Sequence, residues 1–386
     1  MVRGKILMYS FDILPQESQR ILDSIPSLIE KTFPIPGRFR GKLPSDIAEL
    51  SRLLTNNRGD RSLSYMTRPN FLSAYLHYFL PWNLYRLCLL LPTLKLNLCA
   101  KDIITDLGCG PLTLTSALWI TNPGLRKIPL EINCLDRSGP ALEAGKKFFT
   151  ALCENTGGNA AWKINLIKED IDIRQPNKSK KRKPAALVCA VNTFNEIYEN
   201  LSHNNTEGLR NMAENAARLM FNFASPNGSI LTIEPGVPQA GRFISFLRDS
   251  FMELKRPPAS PCTHIESCPL IIKKGKKWCH FAFNIEDAPK ELRRLSAAAK
   301  LPKERLAFSY LLTGKNSKEG TRVISDMFPL PDNLFGRYGC SAQGLVLLTG
   351  EKNRIEKLSS HDIVTPIFAA NGQYDQKSGA FIVRIE

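Results

Sequence analysis

A chain of 386 residues is too long for one ordinary core and calls for two or three domains. Apolar and aromatic shares of 43% and 9% exclude a mainly disordered or fibrous protein. With 52 basic against 36 acidic side chains the formal charge is +16, which favours a polyanionic partner, nucleic acid or anionic lipid, and says nothing about fold.

The first twenty residues (MVRGKILMYSFDILPQESQR) lack an apolar core and a small-residue cleavage site, so no secretory signal is expected. Acidic residues by position 12 and few arginines are also unlike a transit peptide, which favours a bacterial cytoplasm, with the mitochondrial matrix as the alternative. In a reducing compartment, the ten cysteines point to metal or redox chemistry more than to disulfides.

Residues 15–31 and 44–54 carry apolar side chains at helical spacing. Residues 71–92 are the most apolar stretch, but His77, Pro81, Asn83 and Arg86 interrupt it, so a buried helix pair is expected and no membrane span. Together these segments predict an N-terminal helical region over 1–95.

Strand and helix signals then alternate. Short apolar runs at 102–107, 130–135, 164–167, 185–191 and 229–234 are separated by helical segments such as 140–153 and 207–223. That alternation predicts a parallel, doubly wound α/β sheet over 96–254. The run KSKKRK at 178–183 reads as an exposed basic loop and a candidate for phosphate contact. A cysteine-rich segment is expected over 255–336, and a small β unit over 337–386.

The stretch Asp106-Leu-Gly108-Cys-Gly110-Pro-Leu112 follows a strand and opens a helix. Two glycines there allow a sharp turn and close approach of a ligand to the backbone. A dinucleotide fingerprint asks for a third glycine where this chain has Thr113, and for an acidic residue about 20 positions on, where this chain has Asp136 later still. Those departures suit S-adenosylmethionine better. Gly108 and Gly110 would pass the methionine part, Asp106 would orient the loop or meet the amino group, and Asp136 would accept from the ribose hydroxyls. Asp170 would face the adenine amine.

The fourth run ends in Asn192-Thr193-Phe194-Asn195-Glu196, at the strand ends where such sheets bind ligands, so Asn192 is assigned to the same pocket. It lacks the Asn/Asp-Pro-Pro-aromatic pattern of base amino-methyltransferases. Glu196 is a candidate base by position only, and no catalytic residue is assigned. Cys262 after Pro261 superficially offers the nucleophile of a C5-cytosine methyltransferase, but it is better used as a metal ligand.

Cys262-x5-Cys268-x10-Cys279 is looser than the paired knuckles of structural zinc, and Cys340 stands available as a fourth thiolate. Four thiolates also suit an iron–sulfur cluster, so spacing leaves cluster and zinc open, with His264 and His280 as alternative ligands. Lys273, Lys274, Lys276, Lys277, Arg293, Arg294, Lys300, Lys303 and Arg305 surround the ligands with positive charge suited to RNA phosphates.

In combination the motifs resemble the mitochondrial small-ribosomal-subunit methyltransferase-like proteins and their bacterial relatives. The residues that carry the resemblance are Asp106-Leu-Gly-Cys-Gly-Pro, Leu231-Thr-Ile-Glu-Pro-Gly-Val-Pro, Pro261-Cys262, Cys268-Pro-Leu, Trp278-Cys-His-Phe and Phe308-Ser-Tyr-Leu, spanning roughly 70–350. The resemblance implies a class I methyltransferase fold that binds S-adenosylmethionine and carries a [4Fe–4S] cluster. By position Cys262, Cys268 and Cys279 match the first three ligands, and Cys340 is taken as the fourth. It also implies attachment to the small ribosomal subunit and its rRNA during assembly or translation; apart from the resemblance, a monomer with no membrane partner is expected. An active rRNA methyltransferase, or a non-catalytic iron- or redox-sensing ribosome-binding factor, are the alternatives.

Overall fold

The computed structural model describes residues 5–7, 14–55, 65–158, 161–176, 182–198, 201, 205–272, 277–315, 319–365, 368 and 372–385. After a short strand, β1 (Lys5–Leu7), the chain forms α1 (Gln16–Thr32), α2 (Gly37–Arg40) and α3 (Leu43–Thr55). In α1 the buried residues Ile21, Leu22, Ile25, Leu28 and Ile29 fall at three- and four-residue steps, the stripe that an amphipathic helix lays on a core.

The stretch read as a helix pair is a single helical run: α4 (Pro69–Ala74), a π turn (Tyr75–Phe79) and α5 (Leu80–Leu90). Pro81 explains the π turn. It has no N–H to give to the carbonyl of His77, and its ring would crowd that carbonyl in a regular helix. The turn therefore widens, and Leu80 N–H bonds to the Tyr75 carbonyl, five residues back. Trp82, Leu84, Tyr85, Leu87, Cys88 and Leu90 bury this run against α1 and α6. Among the described residues no helix is long and apolar enough to cross a membrane.

The alternating region supplies β2 (Ile103–Leu107), α6 (Thr113–Thr121), α7 (Pro123–Arg126), β3 (Glu131–Asp136), α8 (Gly139–Asn155), β4 (Lys163–Lys168), β5 (Ala185–Val191), α9 (Asn195–Tyr198), α10 (Thr206–Phe223), β6 (Ala224–Pro235) and α11 (Pro238–Glu253). The order β4-β3-β2-β5-β6 is parallel throughout. Helices cover both faces: α1, α5, α6 and α8 on one, α10 and α11 on the other. Asn205 caps α10 by accepting the Gly208 N–H at 2.8 Å. Asn205→Ala is expected to cost about 1 kcal/mol in urea unfolding, the usual worth of such a cap.

The sheet is mixed where the alternation of the sequence suggested only parallel strands. Beyond α11 come β7 (Pro258–Ser260), α12 (Pro269–Ile272), β8 (Phe281–Asn284), α13 (Lys290–Ala298) and β9 (Arg305–Thr313). β9 pairs antiparallel with β6, and β7 and β8 both pair antiparallel with β9. An antiparallel neighbour needs no crossover helix, so no periodic helix signal announces it. The cysteine-bearing stretch is thereby woven into the edge of the central sheet.

The remainder forms β10 (Thr321–Val323), β11 (Phe328–Pro329), β12 (Phe335–Ser341), β13 (Gly344–Gly350), α14 (Lys352–Ile355), β14 (Ile363–Thr365) and β15 (Phe381–Arg384). These strands make a second sheet in the order β1-β14-β10-β12-β13-β15, so the N-terminal strand closes one edge of a C-terminal unit. A buried polar chain ties the two sheets. Ser260 and Tyr310 hydroxyls lie 2.7 Å apart, Tyr310 reaches His361 Nε2, and Arg322 holds the carbonyls of His361 and Pro261.

Candidate functional site: a crevice at the strand ends

The sheet order reverses at β2, whose neighbours β3 and β5 leave it in opposite directions, and crevices for ligands open at such points. A cavity of about 450 Å³ lies there, at the carboxyl ends of the strands. Asp106, Gly108, Gly110, Asp136, Asp170 and Asn192 all line it, so the structure brings the six pocket residues named from sequence into one place. Tyr75, Asn83 and Met66 close it from the N-terminal helical region, which sequence reasoning did not connect with the pocket.

The glycines have separate reasons to be there. Gly108 and Gly110 have φ of +67° and +53°, the left-handed region that L side chains enter at a cost. A Cβ on Gly108 would also sit 2.4 Å from Thr193 Cγ2, whereas one on Gly110 would meet nothing within 4 Å. Thr193 is fixed by donating its hydroxyl to the Leu107 carbonyl at 2.8 Å. The loop has a non-glycine residue in the same strained region, since Leu112 at the start of α6 has φ of 55° and is fully buried.

Two carboxylates face the cavity in opposite states of satisfaction. Asp136 accepts Gly110 N–H and Ser138 N–H, one on each oxygen, both at 2.8 Å. Each oxygen keeps a lone pair for a ligand hydroxyl. Burial raises the Asp136 carboxyl above its ordinary range against the pull of those N–H groups, and the Glu196 charge adds to the rise. Asp106 is 1% exposed, and neither of its oxygens has a hydrogen-bond partner among the described residues. Burial first, and the neighbouring Asp136 charge second, push it well above the carboxylate range. A buried carboxyl without a partner costs free energy that a cationic or donor-bearing ligand would recover.

The loop after β5 is held from below by Glu234, to which sequence reasoning gave no role. Its carboxylate, 0% exposed, accepts Phe194 N–H at 2.9 Å, Asn195 N–H at 3.0 Å and the Tyr198 hydroxyl at 3.4 Å. The signal was the Glu-Pro-Gly at the end of β6, an acidic residue where a core strand has no other reason for one. Glu196 points to the cavity but is paired with Arg137 at 3.0 Å. Cys109 lines the cavity, where burial raises its thiol.

Cys262 does not line the cavity; it stands with Cys268, Cys279 and Cys340 beyond β7. Burial raises the thiols of Cys268, Cys279 and Cys340, and each also feels Cys262. The loop is organised by buried groups: Arg248 donates to the carbonyls of His264 and Glu266, and His264 Nε2 lies 3.3 Å from Cys340 Sγ. Four soft thiols beside the Arg248 guanidinium match a thiolate-ligated metal centre in chemistry. Among the described residues, however, no three Cys, His, Asp or Glu side chains are arranged as a ready ligand set. His280 stacks on Trp278 at 4.7 Å between ring centres. Trp278 Nε1 donates to the Gly236 carbonyl, directly after the strand that ends in Glu234 and Pro235.

Of the basic groups, Lys178–Lys181 of the 178–183 run and Lys273, Lys274 and Lys276 lie outside the described residues. Arg182 pairs with Glu169 and Arg305 with Asp326. Lys277 covers the Tyr338 ring, while Arg293, Arg294 and Lys300 are exposed.

Comparison with solved structures finds the S-adenosylmethionine-dependent methyltransferase from Geobacter sulfurreducens in complex with S-adenosyl-L-homocysteine. It is 11% identical with a TM-score of 0.32, and the match covers 69% of this chain and 97% of that one. The precorrin-6y C5,15-methyltransferase from Geobacter metallireducens matches at 11% identity and a TM-score of 0.33, covering 58% and 86%. With scores this low, the strand order described above carries the fold assignment. No curated protein matches the chain. The family model described as mitochondrial small ribosomal subunit Rsm22 matches residues 106–329, more than half of the chain, and the protein belongs to that family.

Proposed function

We propose that this protein is an S-adenosylmethionine-binding, methyltransferase-fold factor of the small ribosomal subunit, acting in its assembly or in translation through contact with rRNA. The observation that carries the pocket reading is Asp106: a carboxyl buried at a strand end, lining a cavity, with no hydrogen-bond partner among the described residues. It suits the ammonium of the ligand's amino-acid part. Asp136, with a lone pair left on each oxygen, suits two ribose hydroxyls, and the exposed Asp170 at the rim suits the adenine amine. Gly108, Gly110 and Asn192 let the backbone approach between them.

Bound there, S-adenosylmethionine would supply an electrophilic methyl group. The residues around it favour holding over transferring: Glu196, the candidate base by position, is tied to Arg137. Active rRNA methylation is therefore the second reading. The ribosomal partner rests on the family, whose description names the mitochondrial small subunit, and on the +16 charge. Cys262, Cys268, Cys279 and Cys340 would hold a [4Fe–4S] cluster, or zinc, at the edge of the central sheet.

Isothermal titration with S-adenosylhomocysteine and co-sedimentation with purified small subunits test the main reading. Binding in both assays is expected, and failure in both would sink it. An unchanged rRNA methylation map in a deletion strain removes the enzyme reading. Iron content with visible absorbance in anaerobically purified protein is expected, and zinc without colour removes the cluster.

A further inference from the structure

The N-terminal helical region contributes polar groups to the cavity that the reading above leaves unused. Tyr75 and Asn83 line it, on the π turn and on α5 respectively. Their mutual hydrogen bond, Asn83 Nδ2 to the Tyr75 hydroxyl, is stretched to 3.5 Å, so the phenolic proton itself has no acceptor among the described residues. Three residues beyond Asn83, on the same helix face, stands Arg86. It is partly buried, has no ion-pair partner among the described residues, and its Nε makes no hydrogen bond there. Burial lowers it to about 10 against the pull of the Tyr75 phenol, and Lys303 also feels its charge. Burial raises the Tyr75 phenol, and the Glu196 and Asp136 carboxylates raise it further, which keeps it a neutral donor at the cavity wall.

The Tyr75 phenol, whose proton has no acceptor among the described residues, therefore lines the same cavity as a carboxylate without donors, Asp106, and Arg86 stands one helical turn from the lining residue Asn83. An amino-acid zwitterion has the complementary pair of groups: an ammonium for Asp106 and a carboxylate for the donors. Building on the pocket assignment above, we propose that Tyr75, Asn83 and Arg86 form the subsite for the carboxylate of the ligand's amino-acid moiety, which makes the N-terminal helical region an integral part of the donor pocket. The π turn has its use here. Pro81 disfavours a regular helix here, and Tyr75, the first residue of the wider turn, lines the cavity.

The test uses the full-length protein and two ligands that share adenosine and the thioether. S-Adenosylhomocysteine carries the amino-acid part and 5′-methylthioadenosine lacks it. Titration calorimetry of the wild type is expected to show tighter binding of the first. Arg86→Met should weaken S-adenosylhomocysteine about 10- to 100-fold, the worth of a hydrogen bond to a charged group, and leave methylthioadenosine within about twofold. Tyr75→Phe, which removes one oxygen and keeps the packing, should show the same selectivity at about five- to tenfold. Arg86→Lys should recover part of the loss. Equal weakening of both ligands would show a merely structural role and overturn the proposal, as would unchanged S-adenosylhomocysteine binding. If the wild type binds neither ligand, the pocket assignment itself falls. If it binds both equally, only the carboxylate subsite falls.

Discussion

Glu234→Ala is expected to destabilise the fold by about 3 kcal/mol or more and to abolish binding in the cavity. The carboxylate accepts two consecutive backbone N–H groups and a tyrosine hydroxyl in a site closed to water. Truncation leaves those donors without partners, at about 1–3 kcal/mol each. It also frees the loop that carries Asn192, Thr193 and Glu196 into the cavity. Glu234→Gln retains the shape but sets an NH2 against a backbone N–H, so a loss of about 1–3 kcal/mol is expected.

The two variants also share a pH signature. Burial pushes the Glu234 carboxyl up to about 8, against hydrogen bonds that lower it. Between the ordinary carboxylate range and that value the folded protein keeps a proton that the unfolded chain has lost. Stability from this group is thus fully present in acid and is lost as pH rises towards about 8. Thermal unfolding from pH 5 to 8 should show a smaller decline in Glu234→Gln than in the wild type. An identical slope in the two would show that Glu234 does not titrate this way.

Gly108→Ala is expected to be the most damaging change in the glycine loop, well beyond Gly110→Ala. Both positions have positive φ, which costs an alanine about 1–2 kcal/mol. Only at Gly108 would the added methyl run into a neighbour, Thr193 Cγ2 at 2.4 Å, whose hydroxyl bridges the ends of β2 and β5. Moving Thr193 displaces the floor of the cavity, and S-adenosylhomocysteine affinity should fall by about two orders of magnitude, equivalent to about 3 kcal/mol. In urea unfolding Gly110→Ala should lose only that backbone cost of about 1–2 kcal/mol. Adding Thr193→Ala to Gly108→Ala should recover the steric part of the loss and leave the backbone part. If the pair is no better than the single variant, the Thr193 clash is not the cause.

Much of the pocket was legible because its residues sit on regular elements. Asp106, Gly108, Gly110, Asp136 and Asn192 each fall at or just after the end of a parallel strand, and a sheet that alternates with helices puts all such ends on one edge. Glu234 was visible but unexplained, because its partners are backbone N–H groups forty residues away, and a backbone group leaves no mark in sequence. Asn83 reads in sequence only as an interruption of an apolar stretch and Tyr75 as part of that stretch, which hid their place on the cavity wall. The antiparallel return of β7, β8 and β9 was missed because short strands without crossover helices carry no period of their own.

By itself, then, the sequence determined the alternating core, the glycine turn and its acidic partners, since periodicity and backbone conformation are local properties written in residue type. The tertiary structure alone decided which carboxylate is left without a partner, which helix closes the cavity, and how the cysteine loop is braced by Arg248 and Trp278. Those outcomes depend on contacts between segments far apart in the chain. Their free energy comes from burial and hydrogen-bond matching, which exist only once the sheet has assembled.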